Sequence, residues 1–357
     1  MNADLIDDES LPLERKSVLP GEGFFRPDDL TRTEQKQEVE DAVADADTVV
    51  IADPDADGLA CVALVRAARG DAALVPASPH ELQQRLAWTA AALDPGTDMF
   101  ICDLCPDQPA DIEPLDTLAE KAGESRWFDH HQWNEDLAEL VGAAGVELVV
   151  GESDEECSAD VARRELDHRF DESLVELVAV TRDHDLWIRE DPRSDDLADF
   201  SYWSEPQEYL DVVGEHGADL PADVEQYLEE KRVEKEALIE KAIERAQLRE
   251  IGPWTVGVTY GRCSQNEVAE ALRERGADAA VIVKPAGSAS LRGTESFERC
   301  HEVAEQVNGG GHPRAAGCKP DIYDDMLDYA HHWTTQGAVA KRAIIDAFDR
   351  IADETSE

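Results

Sequence analysis

Three carboxylates stand at alternate positions in the segment VIADPDADG, residues 50–58. Asp53, Asp55 and Asp57 come directly after an apolar run, and an extended chain would aim all three side chains in the same direction. Carboxylates held this close repel one another unless a positive charge lies among them. A hard divalent cation, which prefers oxygen ligands, would supply that charge.

Further acids and histidines follow other apolar segments of the chain. They are Asp103 after DMFIC and the triplet Asp129-His130-His131 after SRWF. A fourth cluster, AVTRDHDLW at residues 179–187, follows a helical stretch and adds Asp183, His184 and Asp185. A single acid after a strand is often the N-cap of the next helix. Acids at the ends of successive strands instead indicate one shared site, because ligands of an open parallel sheet gather at the carboxyl ends of its strands.

Apolar runs alternate with amphipathic stretches through the first half of the chain. The runs that predict strands are TVVIAD (48–53), AALVPA (72–77), DMFICDL (98–104), SRWFDH (125–130) and VELVV (146–150). The segments that predict helices between them are 59–69, 80–93, 113–122 and 136–140. This order predicts an α/β fold in which helices cover a parallel sheet.

The segment 221–250 is rich in Glu, Lys, Ala and Leu, and its apolar residues recur at helical spacing, which predicts a long connecting helix. A partner-binding coiled coil is the competing interpretation, which the irregular heptads disfavour. The later runs TVGVTYG (255–261), AAVIVKP (279–285) and SASLRG (288–293) predict strands of a smaller α/β domain. We therefore expect one domain over 1–215, the helix within 216–250, and a second domain over 251–357.

The chain is acidic along its whole length. It has 81 Asp and Glu residues against 33 Lys and Arg, a formal net charge of −48, and a computed pI near 4.3. Such a surface suits high salt, which screens the repulsion between like charges, and we interpret the chain as halophilic. The net charge is only weak evidence against a nucleic-acid partner, because composition does not reveal a local cleft lined by arginines.

The chain has no apolar run of the length that spans a bilayer, and its N-terminus lacks the apolar block of a signal peptide. We therefore expect a soluble, cytoplasmic protein with no membrane partner. Its seven cysteines favour reduced thiols over a disulfide framework. Cys102 and Cys105 form a CxxC pair, which could indicate a zinc or redox site. No second pair accompanies it, so this alternative is disfavoured.

The order of these motifs resembles that of the DHH phosphoesterases, which are named for the triplet present here as Asp129-His130-His131. The similarity covers almost the whole chain, because NGGGHPRAAGCK (308–319) is similar to the glycine-rich motif of the DHH-associated domain. The DxDxDG form of the first motif is similar to that of RecJ-type exonucleases. The segments FICDLCPD, WFDHHQWN and DHDLW look closest to the NrnB kind of nanoRNase, in which the position of Asp53 is usually His.

The resemblance implies a catalytic first domain with two divalent ions, usually manganese. Asp103 would bridge the ions, and Asp53 and Asp55 would hold one of them. The ligands implied for the other ion are Asp57, His130 and an acid of the fourth motif, for which Asp183 is preferred and Asp185 is the alternative. Asp129 would orient the imidazole of its neighbour, and His131 would face the scissile phosphate. Mixed carboxylate and imidazole ligands suit Mn²⁺, and Mg²⁺ stays open.

The resemblance also assigns substrate binding to the second domain. The triplet Gly309-Gly310-Gly311 permits a close backbone approach, and its exposed amides could bind phosphate; a plain flexible loop is the other interpretation of such a run. His312 follows the triplet. Arg292 matches the position of a family arginine that contacts substrate phosphate, to which its planar fork is suited, and Arg314 is a weaker candidate.

The implied function is a two-metal phosphodiesterase that acts at an end of single-stranded DNA or RNA, or on short oligonucleotides. Short substrates are preferred, because the sequence shows no obvious oligonucleotide-binding domain of the kind that long RecJ-type enzymes add. The choice between DNA and RNA stays open, as does the polarity of cleavage. One alternative is hydrolysis of a small phosphate substrate, such as a 3′,5′-bisphosphonucleoside or a cyclic dinucleotide. The other is a non-catalytic scaffold, because some relatives associate with replication and repair proteins.

Overall fold

The structure is a computed structural model that describes residues 28–356, with side chains described for residues 32–353. The chain divides into two compact units, of which one comprises residues 32–231 and the other includes all residues from 232 onward. The expected three-part division at residues 215 and 250 stays a prediction.

The first unit contains a five-stranded parallel sheet. Its strands are β1 (Thr48–Ala52), β2 (Ala73–Pro76), β3 (Asp98–Cys102), β4 (Ser125–Asp129) and β5 (Glu147–Val150). The spatial order is β2-β1-β3-β4-β5, and every neighbouring pair is parallel. All five predicted strands are therefore present, and the predicted α/β class is confirmed. The strand order reverses between β1 and β3, which is where ligands of such sheets bind.

Helices flank these strands along the chain. They are α1 (Asp28–Val43), α2 (Ala56–Arg69), α3 (Leu82–Ala92), α4 (Leu115–Lys121), α5 (Glu135–Ala143), α6 (Ser158–Glu165), α7 (Glu172–Asp185), α8 (Pro192–Trp203) and α9 (Pro206–His216). The four helices predicted between strands all form, with ends that differ by a few residues. Short 3₁₀ turns at Pro79–Glu81 and Pro109–Ile112 precede α3 and α4.

The alternating side chains of the buried strands contribute to two cores. Val50 of β1 belongs to a core with α2 and the helices α6 to α9, whereas Val49 and Ile51 belong to another with α1, α3, α4 and α5. Since successive residues of a strand point to opposite faces, both faces of β1 are apolar and covered. This explains why the strand sequence TVVIA is an unbroken apolar run after Thr48. The sheet is thereby fixed, and its strand ends are held in register.

The second unit contains a six-stranded mixed sheet. The strands are β6 (Gln247–Ile251), β7 (Trp254–Tyr260), β8 (Ala279–Val283), β9 (Ala289–Gly293), β10 (Gly309–Gly311) and β11 (Ala315–Cys318), in the spatial order β10-β11-β9-β8-β7-β6. Only β7 and β8 pair in parallel. The helices after β7 are α11 (Gln265–Glu274), α12 (Cys300–Glu305), α13 (Met326–Thr334) and α14 (Ala338–Ser356).

The long helix predicted over 221–250 is α10 (Ala222–Glu244), and the prediction is wrong beyond Glu244. Residues 247–251 form β6 instead, which pairs antiparallel with β7. Gly252, with φ of 56°, permits the tight turn between these strands. Sheet pairing thus overrides the helical pattern of the sequence at this end. Within residues 28–356, no helix combines the length and the apolar character that crossing a bilayer requires.

Candidate metal centre

The acids of the first three motifs lie at the carboxyl ends of neighbouring strands. Asp53 directly follows β1, Asp103 directly follows β3, and Asp129 is the last residue of β4. Since β1, β3 and β4 are adjacent in the sheet, these residues reach one edge on either side of the reversal in strand order. The fold therefore concentrates negative charge at a single place.

Asp57 is buried and is held by the N-terminus of α6. Its Oδ2 accepts a hydrogen bond from the amide of Ser158 at 2.7 Å, and its Oδ1 accepts one from the amide of Ala159 at 2.9 Å. These are amides that a helix N-terminus leaves without an intrahelical partner, and they favour a negative charge. Burial nevertheless raises the pKa of Asp57 overall. The carboxylate is fixed in position while its charge stays only partly compensated.

Asp103 lies beside it and is 5% exposed. Its backbone adopts a left-handed conformation with φ of 55°, and its amide donates to the carbonyl of Phe128 at 3.0 Å. The hydroxyl of Ser158 donates to Asp103 Oδ1 at 2.9 Å. Burial, followed by the charges of Asp57 and Asp55, raises the pKa of Asp103 well above the usual range for an aspartate. A cation would therefore supply the counter-charge that this carboxylate lacks.

His130 and Asp185 complete the cluster. His130 Nε2 lies 3.3 Å from Asp185 Oδ2 and 3.9 Å from Asp103 Oδ1, and the buried Nδ1 of His130 has no hydrogen-bond partner among the described residues. Burial and the charges of Asp57 and Asp55 raise the pKa of Asp185 to about 8. Asp185 lies at the C-terminal end of α7, so a fourth element contributes to the site.

Potential metal ligands form two overlapping groups among the described residues. One group is Asp103, His130 and His131, the other is Asp57, His130 and Asp185, and within each group the donor atoms lie within 4.8 Å of one another. Oxygen and imidazole donors of this kind suit Mn²⁺ and tolerate Mg²⁺. The mutual repulsion of the buried acids is what a cation would relieve. The donor set and its charge therefore fit a divalent metal.

Asp129 is fully buried and holds His131 in place. Its Oδ1 lies 2.7 Å from His131 Nδ1, and its Oδ2 accepts a hydrogen bond from Trp133 Nε1 at 2.6 Å. Burial alone would lower the pKa of His131, but the hydrogen bond and the charge of Asp129 raise it to about 9. Among the described contacts, the imidazole that Asp129 orients is that of His131, whereas His130 contributes a backbone hydrogen bond.

The first motif also forms hydrogen bonds with the backbone at the start of α2. Asp55 is the N-cap of α2, and its Oδ1 accepts hydrogen bonds from the amides of Asp57 and Gly58, both at 3.0 Å. A Cβ atom at Gly58 would come within 2.1 Å of the carbonyl oxygen of Asp53, so this position requires glycine. Asp53 is half-buried and Asp55 is exposed. The same motif therefore caps α2 and contains predicted metal ligands.

Asp183 is the preferred ligand of the fourth motif from the sequence, but its side chain forms hydrogen bonds with residues outside the metal cluster. Its carboxylate accepts hydrogen bonds from the amides of Glu190 and Asp191, at 2.9 and 3.2 Å, and from the hydroxyl of Ser194 at 2.7 Å. Although burial opposes it, these donors lower the pKa of Asp183. The structure thus brings Asp185 to His130, while Asp183 fastens the segment that leads into α8.

In the second unit, Arg292 lies on β9 and is half-buried. Arg292 Nε donates to Asn266 Oδ1 at 2.9 Å, and burial lowers the pKa of the guanidinium. Lys284 follows β8, and its pKa is lowered first by burial and then by Arg292. The described residues place no carboxylate in an ion pair with either side chain. Two half-buried cations without an acidic partner are suited to a phosphate group.

The glycine triplet forms strand β10 at the edge of the second sheet, so the interpretation as a plain flexible loop is wrong. A Cβ atom at Gly309 would lie 2.1 Å from the carbonyl oxygen of Gly317, whereas Gly310 faces open space. His312 is exposed and closes the turn through its amide, which donates to Ala315 O at 2.7 Å. Arg314 is paired with Glu298, with Nε 2.8 Å from its carboxylate.

Two groups of residues at these sites were not predicted from the sequence. One is the start of α6, where Ser158 and Ala159 bind Asp57 and Asp103; the signal was the segment CSAD, in which Asp160 Oδ2 accepts a hydrogen bond from the amide of Cys157. The other is Lys284, for which the sequence carries no distinctive signal. Lys284 follows β8, and Arg292 lies on the neighbouring strand β9, where the register pairs it with Ala280.

Comparison with known proteins shows similarity at the level of structure. No protein-family model matches the sequence, and no curated protein does. A pGpG-specific phosphodiesterase, PggH from Vibrio cholerae, has 13% identity and a TM-score of 0.50, covering 83% of this chain and 98% of its own. RecJ from Thermus thermophilus, solved with Mn²⁺, has 17% identity and a TM-score of 0.49, covering 92% of this chain and 56% of its own.

A DHH domain described as belonging to a member of a ribosomal-protein family has 11% identity and a TM-score of 0.49, and covers 86% of this chain and 90% of its own. At these identities the likeness concerns the fold. The class that the fold and the cluster define is therefore an α/β protein with a five-stranded parallel sheet, a second mixed sheet and a group of acids and histidines suited to metal.

Proposed function

We propose that this protein is a metal-dependent phosphoesterase of the DHH type, which hydrolyses phosphodiester bonds in short oligonucleotides or at an end of single-stranded nucleic acid. The observation that carries the proposal is the convergence from separate elements of three buried side chains, Asp57, Asp103 and His130, with the partly buried Asp185. Each is a side chain that metal-dependent hydrolases use as a ligand.

In this proposal, Asp57, His130 and Asp185 hold one ion, and Asp53 with Asp55 holds the other. Asp103 would be the shared ligand, because a carboxylate offers two oxygens, whereas the single lone pair of His130 Nε2 would serve one ion only. Asp185 replaces Asp183 here, since the carboxylate of Asp183 is taken up by its three donors. Two ions of this kind, when bound, supply charge that activates water and stabilises the attacking and leaving oxygens.

The remaining side chains act on the substrate. In the proposal, the ring of His131 faces a phosphate oxygen, while Asp129 fixes the ring through Nδ1. The hydrogen bond and charge of Asp129 raise the pKa of His131 to about 9 in the metal-free protein, which favours a proton on that ring. In the second unit, Arg292 and Lys284 bind phosphate charge, and the edge strand Gly309-Gly310-Gly311 lets a phosphate approach its backbone closely. Arg314 has a smaller role because Glu298 neutralises it.

Short substrates are favoured by the comparison with the phosphodiesterase from Vibrio cholerae. That protein is described as specific for pGpG, which is a dinucleotide. We therefore place dinucleotides and other short oligonucleotides first among the substrates to be tested. Mn²⁺ is the proposed metal, on the basis of the mixed carboxylate and imidazole donors.

The test is hydrolysis by purified protein in molar KCl with Mn²⁺, then with Mg²⁺. The substrates are end-labelled dinucleotides, long single strands of DNA and RNA, pyrophosphate and 3′-phosphoadenosine-5′-phosphate. We expect Asp103→Asn to abolish cleavage, because the amide cannot bridge two cations. The matched control is Asp107→Asn, which changes an exposed acid four residues further along the chain and should leave cleavage intact.

Each outcome assigns a different function. Cleavage of dinucleotides in preference to long strands supports the proposal, and processive digestion of long strands would move the assignment to a RecJ-type exonuclease. Hydrolysis of the bisphosphonucleoside alone would identify a small-substrate hydrolase. Absence of turnover on every substrate, with the metals bound, would instead favour the non-catalytic scaffold.

A further inference from the structure

The second unit contains a cavity that belongs to neither group of predicted site residues. It has a volume of about 560 Å³ and lies among the end of α10, strand β6 and the start of α14. Strand β6 is the outer strand of the second sheet on the side opposite the glycine strand β10, and Arg292 lies on an inner strand. The residues that matter here are Arg245, Gln247, Arg249, Gln336, Lys341 and Arg342.

Four cations line this cavity, in a chain with only 33 basic residues against 81 acidic ones. Arg245 Nη1 donates to the carbonyl of Tyr260 at 3.5 Å, and Arg249 Nη2 donates to Gln247 Oε1 at 3.3 Å. The ammonium of Lys341 lies 5.7 Å from the centre of the Tyr260 ring. These partners are neutral, so they leave the positive charge in place.

Asp346 and Asp349 also line the cavity, yet the described residues show no ion pair between any carboxylate and these four cations. Burial, and then the charges of Arg245 and Arg249, lower the pKa of Lys341 to about 8. Like charges held close together repel one another and destabilise a fold unless a bound ligand of opposite charge offsets the repulsion. The chain is rich in acids that could have paired with these cations. The lack of such pairs among the described residues therefore points to an anionic ligand.

The local backbone adds to this preference. Helix α14 runs for 19 residues from Ala338, and its first turn borders the cavity together with Thr335 and Gln336. The amides at the start of a helix carry partial positive charge and bind anions. Gly337 has φ of 71°, and a Cβ atom there would come within 2.7 Å of Val283 Cγ1, so glycine lets the chain turn tightly into the helix.

We propose that this cavity is a binding site for a phosphate monoester of nucleotide size. The guanidinium groups of Arg245 and Arg249 supply planar donors for a phosphate, and the ammonium of Lys341 adds a point charge. Ile345 offers apolar surface, and Gln336 offers an amide for hydrogen bonds to the rest of the ligand. The volume is within the usual range for small-molecule sites. This site does not depend on the proposed hydrolytic function.

The experiment is isothermal titration of the full chain with adenosine 5′-monophosphate, in EDTA so that no metal mediates binding, at the lowest KCl concentration that keeps the protein folded. We expect Lys341→Gln and Arg249→Gln to weaken binding by about tenfold or more. Arg350→Gln, an exposed change on the same helix and outside the cavity, should leave affinity within about twofold. A loss of binding on Arg292→Gln would instead place the nucleotide at the predicted substrate site.

Adenosine should not bind measurably, while inorganic phosphate should bind more weakly than the nucleotide. Equal affinity for adenosine and its monophosphate would overturn the proposal, as would no binding to the wild-type protein, or loss of binding through Arg292→Gln alone. The ligand-free melting temperature gives a second measurement. Lys341→Gln should keep or raise it because repulsion is relieved; a lower melting temperature with unchanged affinity would show a structural role and refute the site.

Discussion

Asp185 and Asp183 lie two residues apart in one motif, and their replacement should have opposite effects on the metal-free protein. The pKa of Asp185 is raised from 3.8 in a free side chain to about 8 by burial and by Asp57 and Asp55. At about 1.4 kcal/mol per pK unit, ionisation of Asp185 costs up to roughly 5 kcal/mol at pH 8. Relaxation and proton sharing with neighbouring acids reduce this to a few kcal/mol.

Asp185→Asn should therefore stabilise the protein in EDTA at pH 8, because an amide carries no charge to be repelled. The sign follows from the raised pKa: the folded state binds the proton more tightly than the unfolded state, so wild-type stability falls as pH rises from about 4 towards 8. The advantage of the variant should shrink as the pH is lowered over the same range. In saturating Mn²⁺ the order should reverse, because the wild-type protein gains a ligand that the variant lacks.

The assay is chemical denaturation in molar KCl, in EDTA and in Mn²⁺, at pH 5 and pH 8. Asp183→Asn is the matched control, and it should destabilise the protein in both media because three donors lose a carboxylate partner. The reasoning is refuted if Asp185→Asn destabilises equally with and without metal. A metal-dependent effect of Asp183→Asn alone would return the ligand assignment to Asp183.

Three further predictions follow from the geometry. Gly58→Ala should destabilise the protein by more than about 2 kcal/mol, because its Cβ atom would lie 2.1 Å from the carbonyl oxygen of Asp53. Gly142→Ala, at an exposed position of α5 with open space around it, should be neutral or stabilising, and urea denaturation measures both. Dilution of KCl from about 2 M to about 0.1 M should lower the melting temperature, since repulsion within a net charge of −48 is then less screened, and an unchanged temperature would contradict the halophilic interpretation. Nucleotide binding at the second-unit cavity should weaken as pH rises through about 8, where Lys341 loses its proton, and titration calorimetry at pH 7 and pH 9 would detect it. The charged and titratable groups around Lys341 are Arg245, Arg249, Tyr260, His332, Arg342, Asp346 and Asp349.

The strands could be predicted because their signal is local. TVVIA and DMFIC are continuous apolar runs, and such runs are buried on both faces of a parallel sheet. The boundary at Glu244 could not be predicted in the same way, since residues 245–250 continue a helical composition. There the backbone bonds between β6 and β7 decide the structure, and those bonds depend on residues on the far side of a turn.

The sequence by itself determined the chemistry available to this protein: the run of alternating acids, the two adjacent histidines, and the apolar strands that end at them. Only the tertiary structure decided which of those side chains meet. Asp185 reaches His130 and Asp183 turns away, although both belong to one motif, because position along α7 and the hydrogen bonds of the following segment set their directions. The same holds for the four cations of the second unit, which come from two distant segments of the chain and converge only through the packing of α14 beside β6. The spacing of residues in the sequence sets the direction of side chains within one element. The distance between side chains of separate segments depends instead on how the core packs.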